Sequence, residues 1–509
     1  MSERGGLSRF LPTGAGWVFL LAFLYLQLKL PAQDDPDVWW HLKVGELILA
    51  QREIPRADAF SFTVPGIPWT AHEWLSEVLM HLLDRAGGFP LLILARSLGV
   101  AAGVALGFAH AARHVPARSA FLAALAMFAA SHAVWAARPQ VISFVFTAIT
   151  FTLLERWRRA RGGAGPWWIA ALMVPWANLH GGFAVGLGLV GLYLAGSWLP
   201  VPEAPPPAER WRLARVLGAG FLLACVNPRG PALLLFPLRF VSEDRTIISE
   251  WVPTSGALSP VFIPLVLLLV GALALTRRRP QAACVLVTLA LVMLSLKAVR
   301  HIQFLGFLFT FLLAEQLASA TAAVDAALDR WRGLAPLPEP TLGEPPAGDA
   351  APSTREPLTA WLVPGLVLLA VGAFSLSPLA GRLFPRADSA AAPVAAVEAL
   401  EQADPGGRTF HEYGWGGYLI WRWAPHRGVF VDGREDMYTV GWILREFDPL
   451  RSAEPGWRER LDERWKITSV LLRPGAPLLA VLREEPGWRQ VYADEEAVVM
   501  VRSGVGPRR

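Results

Sequence analysis

The chain has 509 residues, 53% of them hydrophobic and 17% charged, with a net charge of +5. Average soluble domains carry about 25% charged residues, and a mean hydropathy of +0.38 leaves more apolar surface than a water-soluble fold can bury. The basic excess does not indicate a nucleic-acid binder: the arginines cluster between apolar runs, and no zinc-finger spacing, P-loop or basic helix occurs.

A membrane-spanning helix needs about 20 apolar residues. The first candidate, Gly14 to Leu30, follows a short tail carrying Arg4 and Arg9. No A-x-A cleavage site follows it, so it is expected to be an anchor rather than a signal peptide. Ten further spans are expected near 89–111, 119–137, 139–155, 167–180, 182–199, 213–226, 261–276, 281–299, 301–320 and 358–380. Pro231 to Phe240 is apolar but too short to cross and reads as re-entrant or interfacial. Cys225 and Cys284 both lie in apolar runs and read as small core residues, not a disulfide pair.

Alternating these spans from a cytoplasmic N-terminus puts Arg113 and Arg118, the Arg156–Arg161 cluster, Arg210, Arg212 and Arg215, and Arg277–Arg279 on one side. That is the positive-inside pattern. It predicts a multi-pass membrane protein with its C-terminus outside. Residues 1–328 form the membrane domain. Residues 329–357, rich in Pro, Ala and Glu, read as a flexible cytoplasmic linker. The last span, 358–380, leads to an extracytoplasmic α/β domain at 386–509. There an amphipathic helix near Val394–Gln402 and strand-like runs at Gly428–Val431, Ser469–Leu472 and Ala497–Val501 are separated by Gly and Pro turns.

The candidate chemistry sits in the outer loop at 31–88, which holds nine acidic residues against four basic ones. Asp34, Asp35 and Asp37 follow the first span directly. From Val38 to Leu49 apolar residues recur at helical spacing, which predicts an interfacial helix with Trp39 and Trp40 in the headgroup zone. Such a helix would hold Asp35 and Asp37, with His41 and Glu46 further along it, at the depth of a lipid phosphate. A carboxylate there suits a general base, and alternating Asp residues also suit a divalent cation such as Mg or Mn. The same Asp-Pro-Asp run is also ordinary turn chemistry. His72, Glu73 and Trp74 form a second polar-aromatic group.

Other charges stand where apolar residues are expected. Arg96 lies inside the second span, where a charge is usually paired. Lys297, Arg300 and His301 sit on the outer side, against the general charge bias, and an anion would hold them there; Arg138, before Pro139, is a similar case. His180, Gly181 and Gly182 read as a tight interhelical turn or a groove wall. Glu243, Asp244 and Glu250 occupy the outer loop at 227–259, and Glu250 with Trp251 could lend the site a second carboxylate. Asp432, Arg434, Glu435 and Asp436 crowd a strand end, a common binding position.

The run DPDVWWHLKVGELILAQREIPRADAFSFTVPGIPWTAHEWLSEVL resembles the first outer loop of bacterial GT-C membrane glycosyltransferases. That superfamily includes oligosaccharyltransferase catalytic subunits and protein mannosyltransferase-like enzymes. Asp35 and Asp37 match its first acidic motif, and Glu73 or Glu77 its second. Phe410-His411-Glu412-Tyr413-Gly414 echoes the W-W-D-Y-G motif of oligosaccharyltransferases, but only Tyr413 and Gly414 match outright, so sequon binding is not carried over. The resemblance implies an inverting glycosyltransferase that moves a sugar from a polyprenyl-phosphate donor to an envelope acceptor. Asp37, Asp35 or Glu73 would be catalytic, and Arg300, Lys297 or Arg96 would hold the donor phosphate. His41, Trp40, His72, Trp74, Glu412, Tyr413, Asp432 and Arg434 would bind substrate or acceptor. The rivals are a transporter or flippase, for which no inverted repeat is seen, and a non-catalytic assembly factor on a degenerate GT-C fold.

Overall fold

Helices stand on the apolar runs, and most are short. The computed structural model describes residues 14–28, 35–160, 165–201, 204–237, 249–254, 260–276, 280–332, 362–375, 377, 392–403, 406–434 and 437–504. The helical part comprises α1 (Gly14–Leu28), α2 (Asp37–Gln51), α3 (Trp74–Ala111), α4 (Ala117–Ala130), α5 (Gln140–Ala160), α6 (Gly165–Leu179), α7 (Phe183–Ser197), α8 (Pro207–Ala224), α9 (Phe262–Leu275), α10 (Ala282–Lys297), α11 (Gln303–Phe307), α12 (Ala314–Trp331) and α13 (Leu362–Ser375). Among the described residues only α3 is by itself long and apolar enough to cross a bilayer; α1, α4, α7, α9 and α10 are apolar but shorter. The expected linker at 329–357 starts too early, since α12 runs on to Trp331; its residues from 333, with Asp34, Glu243, Asp244, Arg277–Arg279, Glu435 and Asp436, lie outside the described residues.

One element is as the sequence reading has it and one differs. The helical run α3 starts at Trp74 but is broken by non-helical geometry at Gly87 and Gly88, so a first segment within the 31–88 loop is followed by the expected span at 89–111. The expected span at 301–320 is not one straight helix, because the chain bends by 78° between Val299–Leu312 and α12. Aromatic rings fill the space where α5 meets α11. Phe307 packs against Phe144 at 5.0 Å and Phe151 at 5.6 Å, and Phe151 stacks on Phe311 at 5.3 Å.

The C-terminal segment opens with α14 (Val394–Ala403), as its amphipathic pattern predicts. Strands β1 (Arg408–His411), β2 (Ile467–Leu472), β3 (Trp488–Ala493) and β4 (Val498–Arg502) form one sheet in the order β1-β2-β4-β3. β1 runs parallel to β2, while β4 is antiparallel to both β2 and β3. The predicted strands at 469–472 and 497–501 fall on β2 and β4, whose Val and Leu side chains are buried. Gly428–Val431 is not a sheet strand; Val429 instead makes a lone parallel bridge with Ser61 of the outer loop.

That bridge marks how the outer loop and the C-terminal segment are joined, for they share one hydrophobic core. Val429 N–H donates to Phe60 O at 2.9 Å, Phe62 N–H to Val429 O at 3.1 Å, and Thr63 Oγ1 to Phe430 O at 2.6 Å. Trp39 and Trp40 are buried in this core rather than set in the headgroup zone. Trp39 packs against Trp421 at 5.0 Å, Tyr418 at 5.4 Å and Phe89 at 6.2 Å, because α15 (Gly416–Trp423) covers α2.

A buried charge cluster locks the joint. Arg434 Nη2 lies 2.7 Å from both Asp58 Oδ1 and Asp432 Oδ2, and all three side chains are fully buried. The guanidinium is also flanked by the rings of Phe60 and Trp69, each 4.9 Å away. Burial alone would make Arg434 easier to deprotonate, but Asp432 and Asp58 reverse this and hold its pKa above normal. Removing one partner of a buried ion pair strands the other and costs roughly 3–5 kcal/mol. Arg434→Met should therefore lower the unfolding temperature of the purified protein and make the outer body protease-sensitive; unchanged melting would contradict the locking role.

Candidate active site

The outer ends of α5, α6 and α10, the start of α2 and α3, and residues 433–434 surround a cavity of about 230 Å³. Its lining mixes charged and polar side chains with apolar ones, among them Val185, Phe236, Pro237, Leu294 and Phe304.

At one side stands Arg138, in the turn that leads into α5. Its guanidinium lies 3.0 Å from Asp35, 3.2 Å from Asp37 and 3.4 Å from Glu250. Asp35 also caps the start of α2 by accepting the Asp37 N–H at 3.0 Å. Gly433 lies so close to Asp37 that a Cβ there would overlap Asp37 Oδ1. Glu250 reaches from Arg138 to Arg300, 3.0 Å away. Burial alone would raise the Glu250 carboxyl, but Arg138 and Arg300 outweigh it and hold the group down at about 2. Arg300 stacks over Trp251 at 4.5 Å, which fixes its orientation.

Across the cavity Glu73, which immediately precedes α3, is ringed by histidines. His180 Nε2 lies 3.3 Å from it, His72 Nε2 3.7 Å and His41 Nε2 3.8 Å. His41 Nδ1 in turn faces Glu77, 3.5 Å away. Burial, partly opposed by Arg138 and Arg300, pushes the Glu73 carboxyl up to about 7. Burial also holds His41 well below its usual value, so it stays neutral. Burial likewise holds His180 well below its usual value, so the carboxyl exchanges a proton near neutral pH beside two rings, His41 and His180, that do not compete as cations.

Asp37, Trp40, His41, His72, Glu73, Arg300 and Arg434 thus line one cavity, with Asp35 joined to it through Arg138. The remaining candidates have other partners. Arg96 donates to Leu26 O at 2.8 Å and Trp135 O at 2.5 Å, tying α1 and α3 to the turn after α4. Trp74 donates to Asn178 at 3.0 Å. Glu412 pairs with Arg451 at 2.9 Å inside the C-terminal body, Tyr413 packs toward Phe447 at 6.4 Å, and Asp432 serves Arg434. Lys297 sits exposed at the end of α10.

A divalent cation does not fit between Asp35 and Asp37, because a guanidinium already bridges them. Among the described residues no three His, Cys, Asp or Glu side chains converge on a metal position. The sequence left His180 between a tight turn and a groove wall, and it does line the cavity. Arg138 carried a signal as a cation standing against the expected charge bias. Ser143, one turn into α5, carried no signal at all.

No family model matches the chain, and no curated protein matches it. Among solved structures it is similar to the apo oligosaccharyltransferase of Archaeoglobus fulgidus, with 13% identity and a TM-score of 0.48, covering 90% of this chain and 69% of that one. It is also similar to ArnT from Cupriavidus metallidurans bound to undecaprenyl phosphate, with 15% identity and a TM-score of 0.47, covering 97% of this chain and 99% of that one. Both are GT-C fold glycosyltransferases.

Because Glu73 holds its proton more tightly in the folded protein than an unfolded Glu does, the folded state gains stability as pH falls from about 7 toward 4.5. Glu73→Gln should remove that gain. In melting curves the variant should exceed the wild type at pH 8 and lose the advantage near pH 5; parallel curves at all pH values would contradict a raised Glu73.

Proposed function

We propose that the chain is a multi-pass glycosyltransferase of bacterial inner membranes, with its N-terminus cytoplasmic and this cavity on the outer face. It would move a sugar from a polyprenyl-phosphate donor to an envelope acceptor, with inversion. One observation carries the reading: a single cavity, lined in part by apolar side chains, joins a fixed, partly shielded cation to a carboxyl that titrates near neutrality. Transfer from a lipid phosphate needs both, the cation at the leaving group and the base at the acceptor.

In this scheme the acceptor oxygen attacks the anomeric carbon of the donor sugar and its proton passes to the Glu73 carboxylate. The bond from anomeric carbon to phosphate oxygen breaks, and the electron pair leaves on the lipid phosphate. Arg300 is the better phosphate partner. Arg138 is shared among Asp35, Asp37 and Glu250, whereas among the described residues Glu250 is the carboxylate paired with Arg300. Asp37, held by Arg138 and pressed against Gly433, would orient the acceptor. The loop sequence at 35–79 supports the same reaction class through its GT-C resemblance.

A flippase could use the cation, the apolar lining and, as a proton relay, the histidine-ringed carboxyl, so the two readings part on whether sugar is transferred. Purified protein incubated with a panel of radiolabelled polyprenyl-phosphate sugars and envelope extract should transfer label. Glu73→Gln should lower the rate by roughly 10²-fold or more, and Arg300→Ala should lower it too. Lipid-donor flux without label transfer in any combination would favour the flippase, and full activity in Glu73→Gln would refute this base.

A further inference from the structure

His180 belongs to the turn between α6 and α7. The backbone N–H of Gly182 donates to His180 Nδ1 at 2.8 Å. A backbone N–H can only donate, so Nδ1 carries a lone pair and the ring is neutral with its proton on Nε2. A second chain of donors reinforces this. Trp176 Nε1–H, itself only a donor, gives its hydrogen bond to Ser143 Oγ at 2.7 Å. The Ser143 hydroxyl then donates onward to His180 Nδ1, also at 2.7 Å. Both hydrogen bonds end on the same ring nitrogen; the Gly182 amide, which can only donate, sets Nδ1 as the acceptor, and the Ser143 hydroxyl turns to donate to it. The opposite nitrogen, Nε2–H, lies 3.3 Å from Glu73 Oε1. Gly182 is required for the arrangement, since a Cβ there would overlap Ser143 Oγ.

We infer that His180 is a positioning residue. With its tautomer set by the Gly182 amide, it presents an N–H to one Glu73 oxygen and leaves the other to exchange the acceptor's proton. The inference rests on the reading of Glu73 as the base. An N–H dipole beside a carboxylate favours its charged form through its field, so His180, whose Nε2 lies 3.3 Å from Glu73 Oε1 but off the line of a hydrogen bond, opposes the burial that raises Glu73. Every element around the carboxyl contributes a charge or a titratable ring: His41 from α2, with Glu77 of α3 behind it, His72 from the preceding loop, Arg138 ahead of α5, and Glu250 and Arg300 from the loops before α9 and α11. Among these neighbours His180 is the one whose Nδ1 accepts from both a backbone N–H and a hydroxyl.

The test uses the full-length protein in lipid nanodiscs and needs no substrate. Infrared difference spectra across a pH titration follow the protonated Glu73 carboxyl, assigned by its loss in Glu73→Gln. The wild-type midpoint should fall near 7. His180→Phe keeps the ring and removes the N–H, and should raise the midpoint. His180→Gln, which keeps an N–H in reach, should bring it back toward the wild type. An unchanged or lowered midpoint in His180→Phe overturns the inference. If His180→Phe does not fold, His180→Leu takes its place, and a midpoint equal to the wild type's overturns the inference in the same way. The failures are separable: full transfer activity in Glu73→Gln removes the base itself, whereas an inactive Glu73→Gln with an unmoved midpoint in His180→Phe removes only the role of His180.

Discussion

The guanidinium of Arg138 organises the outer end of the molecule. It gathers Asp35 and Asp37 from the start of α2 and Glu250 from a distant loop within 3.4 Å of one side chain. An arginine can do this because its planar fork offers several donors in fixed directions. Without it, carboxylates from the start of α2 and from the loop before α9 would repel one another at the cavity's edge. With it, α2 is held at an angle that turns Trp40 and His41 inward, and Glu250 is left to steady Arg300. The same contact explains why a divalent cation has no place there: its charge is already supplied by the protein.

The second constraint is the fusion of the outer loop with the C-terminal body. Arg434, Asp58 and Asp432 form a fully buried cluster whose members come from both. Arg434 and the neighbouring Gly433 also line the cavity. The C-terminal segment is therefore part of the cavity wall and fixes the position of Asp37 by direct contact. Its sheet supplies the rigid backing for that wall.

Much of this was legible in the chain. Apolar runs located the helices, and short continuous Val and Leu runs located β2 and β4, since burial on both faces leaves a plain hydrophobic signature. The loop's acidic and aromatic residues marked the site, and Asp37, His41, His72, Glu73 and Arg300 do meet. What was not legible has specific causes. Trp39 and Trp40 looked like interface anchors because a helix hydrophobic on one face gives no clue to whether lipid or protein covers it; here α15 does. Arg96 looked like a phosphate ligand, but its partners are backbone carbonyls, which leave no mark in the sequence. The His180–Ser143 pair joins residues 37 positions apart through a hydroxyl and an amide, two groups too common to signal anything by composition.

The account stands or falls on where a lipid phosphate binds. A structure of the protein in nanodiscs with an added polyprenyl monophosphate tests it most directly. The account predicts phosphate density within hydrogen-bonding distance of Arg300, inside the cavity that Glu73 faces, with the prenyl chain leaving along Phe236, Leu294 and Phe304. Phosphate bound outside this cavity, or beyond reach of Arg300, would contradict it.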